Sequence, residues 1–477
     1  MSTGLARVTI SAPQRRVDVA LPEHLPLAEL LPEVLRHAGE GLADDGERHG
    51  GWLLRRTDGA PLQAGQALLT QGVRDGDVLH LVPARAVWPE LEYDDVVEAI
   101  ADGARRRGSA WSGPTTRSAT LAAAGVLLTI GLVAVLQGGP GWAAGAFAAL
   151  GVAVLLALAA VVASRAYGDA PAGAALGGYA MPYAFVGGAL LVASGDPAGV
   201  LGPVGWLGAP EALAGSVALL LAAVLGAVGV SAGLRVFAAG ASVGGLGALT
   251  ALAGFVLPAA GAAAILIAVL VCAIGMLPLL AIRFGKLPMP PITLPTGAEA
   301  AEGFTAASPA AAGGARERPE RSRVFAAVAR TEEMLTGMLI GHAVLAVVAA
   351  VVLVVSGGFS GRLLAAVSAV ALLLRSRLFV TVRQRVPLVV AGVGALGVLG
   401  LALAVQFEDP GLLGLTGGGV LLGLVVIASG ATYSRRPPTP YLGRAADIVD
   451  TLMVVSVVPV AFAVLGLYAR ARGLVGG

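Results

Sequence analysis

Polarity along the chain falls into two long apolar blocks set among short polar stretches. From Ala119 to Ile282 the sequence is apolar almost throughout, interrupted only by Gly/Pro-rich breaks. A second block runs from Leu335 to Ala469. Apolar stretches of about 18 or more residues read as bilayer spans. With no water to satisfy the backbone in lipid, such stretches must be helical. The first block predicts six spans, 119–137, 142–164, 173–194, 212–232, 235–256 and 260–282. The second predicts five, 335–356, 361–380, 386–405, 410–432 and 447–469. The fourth and fifth are divided only by Ala232-Gly233-Leu234.

The residues ahead of the spans have a different period. Arg7-Val8-Thr9-Ile10-Ser11 and Arg16-Val17-Asp18-Val19-Ala20 alternate like half-buried strands. Ala12-Pro13-Gln14-Arg15 between them suits a hairpin turn. Leu27, Leu30, Leu31, Val34 and Leu35 share one helical face, with Pro32 awkward inside it and Gly39 as a stop. Trp52–Arg56 predicts a third strand and Gly65–Leu69 a short element. The Arg74-Asp75-Gly76-Asp77 turn feeds a last strand through Val78, Leu79 and Leu81. The expected order is ββαββ within residues 1–84.

Residues 85–118 form an expected linker. An acidic amphipathic stretch, Pro89 to Ile100, leads to Arg105-Arg106-Arg107, Trp111 and Arg117. An acidic start and basic end suit the dipole of a helix. The arginines sit where anionic headgroups would attract them, and Trp111 suits an interfacial anchor. A polar loop, 283–334, separates the apolar blocks. It opens with Leu287-Pro288-Met289-Pro290-Pro291, is low in complexity from Ala306 to Gly314, and ends in a charged amphipathic helix candidate, Arg321 to Met334. A loop of that length suits partner docking.

Charge orients the chain. Cytoplasmic loops carry the excess of Lys and Arg. With the N-terminus inside, the inner segments hold Arg105, Arg106, Arg107, Arg117, Arg165, Arg235, Arg283, Lys286, Arg375, Arg377, Arg383, Arg385, Arg435, Arg436 and Arg444. The outer segments hold Arg362, Arg470 and Arg472, with Asp196, Glu211, Glu408 and Asp409. One orientation therefore satisfies all eleven spans and places the tail, 470–477, outside. Residues 1–20 lack the pattern of a secretory signal. The first span is then the expected export signal, and the N-terminal domain stays where it was made.

Composition agrees with this class. Mean hydropathy is +0.82, and charged residues are 13% of the chain against about a quarter in soluble proteins. Nearly every cation is Arg, with Lys286 the one lysine. Together with the excess of Ala and Gly, this points to a GC-rich genome.

Candidate chemistry is sparse. Transporters driven by ions need ionisable groups at mid-bilayer. The nearest approaches are His342, Glu332 and Glu333 at the inner end of the seventh span, and Asp447 and Asp450 at the inner end of the eleventh. All are expected close enough to an interface to be hydrated or paired. Cys272 is the single cysteine, so neither a disulfide nor a zinc site is expected within the chain. No catalytic, cofactor-binding or metal-binding residues are expected, and no nucleic-acid partner. Small residues at four-residue spacing recur in Gly240–Gly247 and at Gly229/Gly233, Gly337/Gly341, Gly414/Gly418 and Gly419/Gly423. That spacing lets helix backbones approach closely.

The β-grasp order of the opening, carried by Arg7–Ser11 and Arg74–Val82, resembles a ubiquitin-like (YukD-like) domain. The chain runs straight on through Ala84 and Arg85, so conjugation through a diglycine tail is not expected, and Gly476-Gly477 reads as chance. Followed by a linker, six spans, a long loop and five spans, the whole resembles EccD, the polytopic membrane subunit of type VII (ESX) secretion systems. The resemblance implies a membrane scaffold without enzymatic activity. It implies a homodimer within a larger inner-membrane complex, two copies enclosing a lipid-filled space. It implies partners that include a bitopic subunit and an FtsK/SpoIIIE-type ATPase. A GC-rich genome agrees with an actinobacterial origin. The alternative is a secondary transporter or permease with a regulatory β-grasp domain, which predicts paired broken helices and polar mid-span residues. Pro182, Pro258, Pro278 and Pro459 could break helices, but the polar residues are missing. A lipid-modifying membrane enzyme lacks a candidate acid, base or metal site.

Overall fold

A computed structural model describes residues 4–12, 15–39, 42, 46, 50–84, 111–195, 199–285, 321–435 and 439–475. The acidic stretch and triple arginine of the linker, the Pro-rich and low-complexity parts of the 283–334 loop, Pro13-Gln14 and Gly476-Gly477 lie outside the described residues. The chain divides into two compact units, Met1–Ser112 and Gly113–Gly477.

In the first unit, β1 (Leu5–Ser11), β2 (Arg16–Pro22), α1 (Leu27–Ala38), β3 (Trp52–Arg56) and β4 (Val78–Pro83) follow in sequence. The sheet order is β2-β1-β4-β3. β1 pairs antiparallel with β2 and parallel with β4, and β3 pairs antiparallel with β4. This is the small mixed sheet of a ubiquitin-like fold. Alternation explains the core: Ala6, Val8 and Ile10 of β1 and Leu79 and Leu81 of β4 face inward, against Leu27, Leu30, Val34 and Ala38 of α1. Leu31 and Leu35 are only partly buried at its margin. Pro32 sits within a continuous α1.

The Asp75-Gly76-Asp77 turn joins the parallel pair. The Arg7 amide donates to Asp75 Oδ1 at 2.6 Å, and the Gly76 amide donates to the Arg7 carbonyl at 2.8 Å. The Arg74 amide donates to Asp77 Oδ2 at 2.9 Å. Gly76 has φ 87°, a region that disfavours side chains. Gly65–Leu69, expected as a short element, is a turn bridged at Ala67 to Pro26. The Leu69 amide donates to the Glu23 carbonyl at 3.1 Å, and Gln71 Nε2 donates to the Gln63 and Gln66 carbonyls at 3.0 Å each.

The second unit is helical. Among its described residues eleven helices are long and apolar enough to span a membrane. They are α2 (Gly113–Gly138), α3 (Gly145–Arg165), α4 (Ala170–Val192), α5 (Ala209–Gly229), α6 (Leu234–Ala253), the pair α7 (Ala259–Ala273) and α8 (Leu277–Gly285), α9 (Arg321–Ser356), α10 (Gly358–Arg375), α11 (Val382–Gln406), α12 (Gly411–Tyr433) and α13 (Pro440–Val464). A short α14 (Leu467–Val475) follows.

Three expectations are corrected here. The charged stretch Arg321–Met334 is helical as expected, but the helix does not end with the 283–334 loop. It continues into the seventh span as α9, whose 36 residues run about 54 Å at 1.5 Å each, well beyond a hydrocarbon core of about 30 Å. The eleventh span stops at Val464, not 469, because Gly466 takes φ 69° before α14 begins. Gly229 and Gly233 do not share a helix: Gly229 ends α5, and Gly233, at φ 77°, caps α6.

The prolines act unequally. Pro182 and Pro459 lie within continuous helices, and Pro258 precedes α7. Near Pro278 the sixth span changes to a 3₁₀ turn over Ile274–Met276, as expected where a ring removes a helical donor.

The two apolar blocks pack as one bundle. α9 touches α6, α7 and α8 of the first block and α10 and α11 of the second, while α13 closes on α10 and α7. The largest core lies among these helices, with Leu270, Ile274, Leu339, Leu353, Leu364, Leu388 and Val457 fully enclosed.

Candidate functional site

Glycine steps set the closest helix approaches. A Cβ on Gly337 of α9 would lie 2.6 Å from Ala238 Cβ of α6, and one on Gly341 would lie 2.7 Å from Ser242 Cβ. The Ala238 and Ser242 spacing on α6 matches that of the two glycines, so a pair of small ridges meets face to face. On the other side of α6, a Cβ on Gly244 would lie 2.7 Å from the Leu220 backbone nitrogen of α5. The expected pairs Gly414/Gly418 and Gly419/Gly423 behave otherwise. Nothing lies within 4 Å of where their Cβ atoms would be, and no residue of α12 is buried.

The polar residues singled out by sequence have specific fates. His342 is enclosed in the bundle at 6% exposure and is paired within its own helix, Nδ1 lying 2.9 Å from the Met338 carbonyl one turn earlier. Asp447 and Asp450, in the first half of α13, pair with the end of α10 and the 3₁₀ turn after it: Arg377 Nη1 lies 3.3 Å from Asp447 Oδ1 and Arg375 Nε 3.7 Å from Asp450 Oδ1. The Arg375–Asp450 pair is the more buried, and its facing Nε and Oδ1 atoms make no hydrogen bond. Glu332 is exposed and Glu333 half-buried on the extension of α9. Cys272 is exposed. Among the described residues no three His, Cys, Asp or Glu side chains gather as a metal site.

Other polar contacts were not foreseen from sequence. Arg165, at the end of α3, donates to the Gly229 and Val228 carbonyls at 3.0 and 3.1 Å, covering acceptors that the last turn of α5 leaves open. Ser164 Oγ lies 2.9 Å from Ser231 Oγ and also accepts from the Ser231 amide. Arg117 of α2 pairs with Asp169, whose carboxylate caps α4 through the Ala172 amide at 2.9 Å. Tyr179 and Tyr183, one turn apart on α4, donate to the Leu121 and Leu128 carbonyls of α2 at 2.9 and 2.6 Å. Gly125 and Gly131 leave room for those hydroxyls. Most ion pairs and helix-end contacts therefore gather toward span termini, while the interior is largely aliphatic and glycine-packed, with His342 and the Tyr183 hydroxyl among its polar groups.

Comparison with known proteins agrees with this arrangement. Residues 116–474 match the EccD-like transmembrane domain. Residues 5–81 match protein YukD of the WXG100 protein secretion system. A 99-residue stretch is 37% identical to the ESX-4 secretion system protein eccD4 of Mycobacterium tuberculosis, covering 20% of this chain and 21% of that protein. A 151-residue stretch is 33% identical to the ESX-3 secretion system protein EccD3 of the same species, covering 30% of this chain and 32% of that one. The matched parts thus span no more than a third of either relative. Among solved structures, protomer 1 of the ESX-3 core complex aligns with TM-score 0.58 and 21% identity over 98% of this chain and all of that one. The MycP5-free ESX-5 inner membrane complex aligns with TM-score 0.54 and 20% identity over 90% of this chain and all of that one. At these identities the structural likeness concerns the fold.

Proposed function

The chain belongs to the EccD family of type VII secretion membrane subunits, and from that premise we propose that it is the integral-membrane scaffold of an ESX-type secretion complex. On this reading it pairs with a second copy and organises an inner-membrane assembly that includes an FtsK/SpoIIIE-type ATPase and a bitopic subunit. Membrane lipids fill the space between copies. It has no enzymatic step of its own.

One observation carries the reading. The bundle is closed by glycine-to-backbone contacts around α6 and α9, while Arg117–Asp169 lies at helix ends and the Arg375–Asp450 and Arg377–Asp447 pairs join the end of α10 and the 3₁₀ turn after it to the first half of α13. A closely packed, largely aliphatic interior suits a frame, and buried His342 is bonded within its own helix. A path for ions or polar solutes needs ionisable or hydrated groups at depth. The permease alternative draws on the 3₁₀ break at Ile274–Met276, but the other described spans run without a mid-span break and supply no second half-helix to pair with it.

We place the N-terminal unit, the linker and the 283–334 loop in the cytoplasm and the C-terminus outside. The basic residues Arg165, Arg235, Arg283, Arg375, Arg377, Arg383, Arg385, Arg435 and Arg444 support this, since all lie at or near ends of the same parity.

The test is purification of the tagged chain from its native membrane in mild detergent, followed by mass spectrometry of bound proteins. Recovery of an FtsK/SpoIIIE-type ATPase at fixed stoichiometry is expected. A chain that stays a monomer or simple dimer through several detergents would contradict the scaffold reading.

A further inference from the structure

The helical unit holds a pocket of about 480 Å³ between α5, α6, α7 and α9, roofed by the connection from Gly199 to Gly208. Its wall is mostly aliphatic, with Phe185 the one aromatic, and no charged side chain lines it. Val344 and Val348 of α9 are about half exposed, so the pocket opens sideways beside that helix. Only two hydroxyls face it, and Thr250 already donates to the Leu246 carbonyl at 2.8 Å. Of these two, Ser216 alone has no partner among the described residues. A buried water needs two to four polar partners, which these side chains do not supply.

Depth and width narrow the occupant further. The pocket reaches from the span ends at Ala209 and Ala259 down to Val344. Val344 lies twelve residues before the end of α9 at Ser356, about 18 Å at the helical rise. One leaflet of hydrocarbon is about 15 Å deep, half of a core of about 30 Å. A helix filling that depth needs three turns about 10 Å wide, and it would have to enter where α6 already touches α5 and α9. A non-helical segment would leave its backbone without partners against an aliphatic wall. A single hydrocarbon chain fits on every count.

We infer that this pocket holds one acyl chain of a membrane phospholipid, drawn in from a single leaflet through the opening beside Val344 and Val348. The site lies within one chain and depends neither on pairing of copies nor on the scaffold reading. The lipid's polar end stays at the membrane surface near the Gly199–Gly208 connection, since the pocket offers it no charged partner.

The test uses the purified full chain in detergent with a phosphatidylcholine carrying a diazirine on its acyl chain. After exchange into lipid-free detergent the sample is irradiated, digested and mapped by mass spectrometry. Exposed Leu421 and Leu424 of α12 report lipid that merely surrounds the protein. Adducts at Ala212, Val344 and Val348 are expected to exceed those on α12 by about tenfold after exchange, a preference on the order of 1.4 kcal/mol. Ala212→Phe and Val348→Trp, each filling the pocket, are expected to abolish that excess while leaving α12 adducts unchanged. Because the wild-type map is itself decisive, a variant that fails to fold does not rescue the inference. Equal loss of adducts at both places on exchange would overturn it. So would crosslinks from an intact membrane complex that join Val344 or Val348 to another polypeptide in place of lipid.

Discussion

Replacing Gly337 with alanine tests the packing at the centre of the bundle. The added methyl would lie 2.6 Å from Ala238 Cβ and 3.0 Å from Arg235 Cα. Ordinary carbon contacts are about 3.5–4.0 Å, so the shortfall is about 1 Å. A methyl has no rotamer with which to escape, and one of its neighbours is backbone. α9 must therefore back away from α6. A gap of about 0.5–1 Å forfeits a quarter to a half of each contact's attraction along the interface. Overpacking of this kind costs about 1–3 kcal/mol, against a gain of up to about 1 kcal/mol from alanine's helix preference over glycine. The expected net loss is about 1–2 kcal/mol. Gly418→Ala in α12 is the control. It gains the same helix preference with nothing within 4 Å of the new methyl, so it should be neutral or slightly stabilising. Equilibrium unfolding of the full chain in mixed micelles, titrated with SDS, reads both. If Gly337→Ala proves as stable as Gly418→Ala, α6 and α9 are not in backbone contact and the packing argument fails.

Further outcomes follow from single contacts. Tyr183→Phe removes the donation to the Leu128 carbonyl and should cost about 0.6–1.7 kcal/mol in the same titration, with added protease or cysteine-label access to α2 as the local sign. Arg375→Ala leaves Asp450 half-buried without its cation. After allowance for its partial exposure this should cost about 1–3 kcal/mol, and Arg375→Ala with Asp450→Ala should recover part of the loss. In the ubiquitin-like unit, Asp75→Ala removes the acceptor of the Arg7 amide and should cost about 0.5–1.5 kcal/mol. Faster hydrogen exchange in β1 and β4 would report it, and unchanged protection there would contradict the role given to the turn.

Much of this architecture was legible in the sequence because two signals are strong. Hydropathy marks any helix that lipid must surround, and the eleven spans appear close to the expected positions. Alternation marks a half-buried strand, which is why Arg7–Ser11 and Arg16–Ala20 fall in β1 and β2 as expected. What was not legible is which surfaces meet. Gly337/Gly341 and Gly414/Gly418 carry the same spacing, yet one pair touches α6 backbone and the other faces open space. Small-residue spacing reports a shape that permits close approach and says nothing of a partner. The joining of Arg321–Met334 to the seventh span escaped detection because its charges end the apolar run without ending the helix. The pairing of Arg375 and Arg377 with Asp450 and Asp447 spans 70 residues or more of sequence. It depends on α10 and α13 lying side by side, a relation no local pattern encodes.

The scaffold reading is tested most directly by removing this chain from a cell that makes the whole secretion complex. The sizes of the membrane assemblies containing the ATPase and the bitopic subunit are then measured by native electrophoresis with immunodetection. The account predicts that the large assembly disappears, its remaining subunits running as separate small species, and that re-expression of the chain restores it. A large assembly that persists intact without this chain, with only secretion lost, would contradict the account and assign the chain to transport itself.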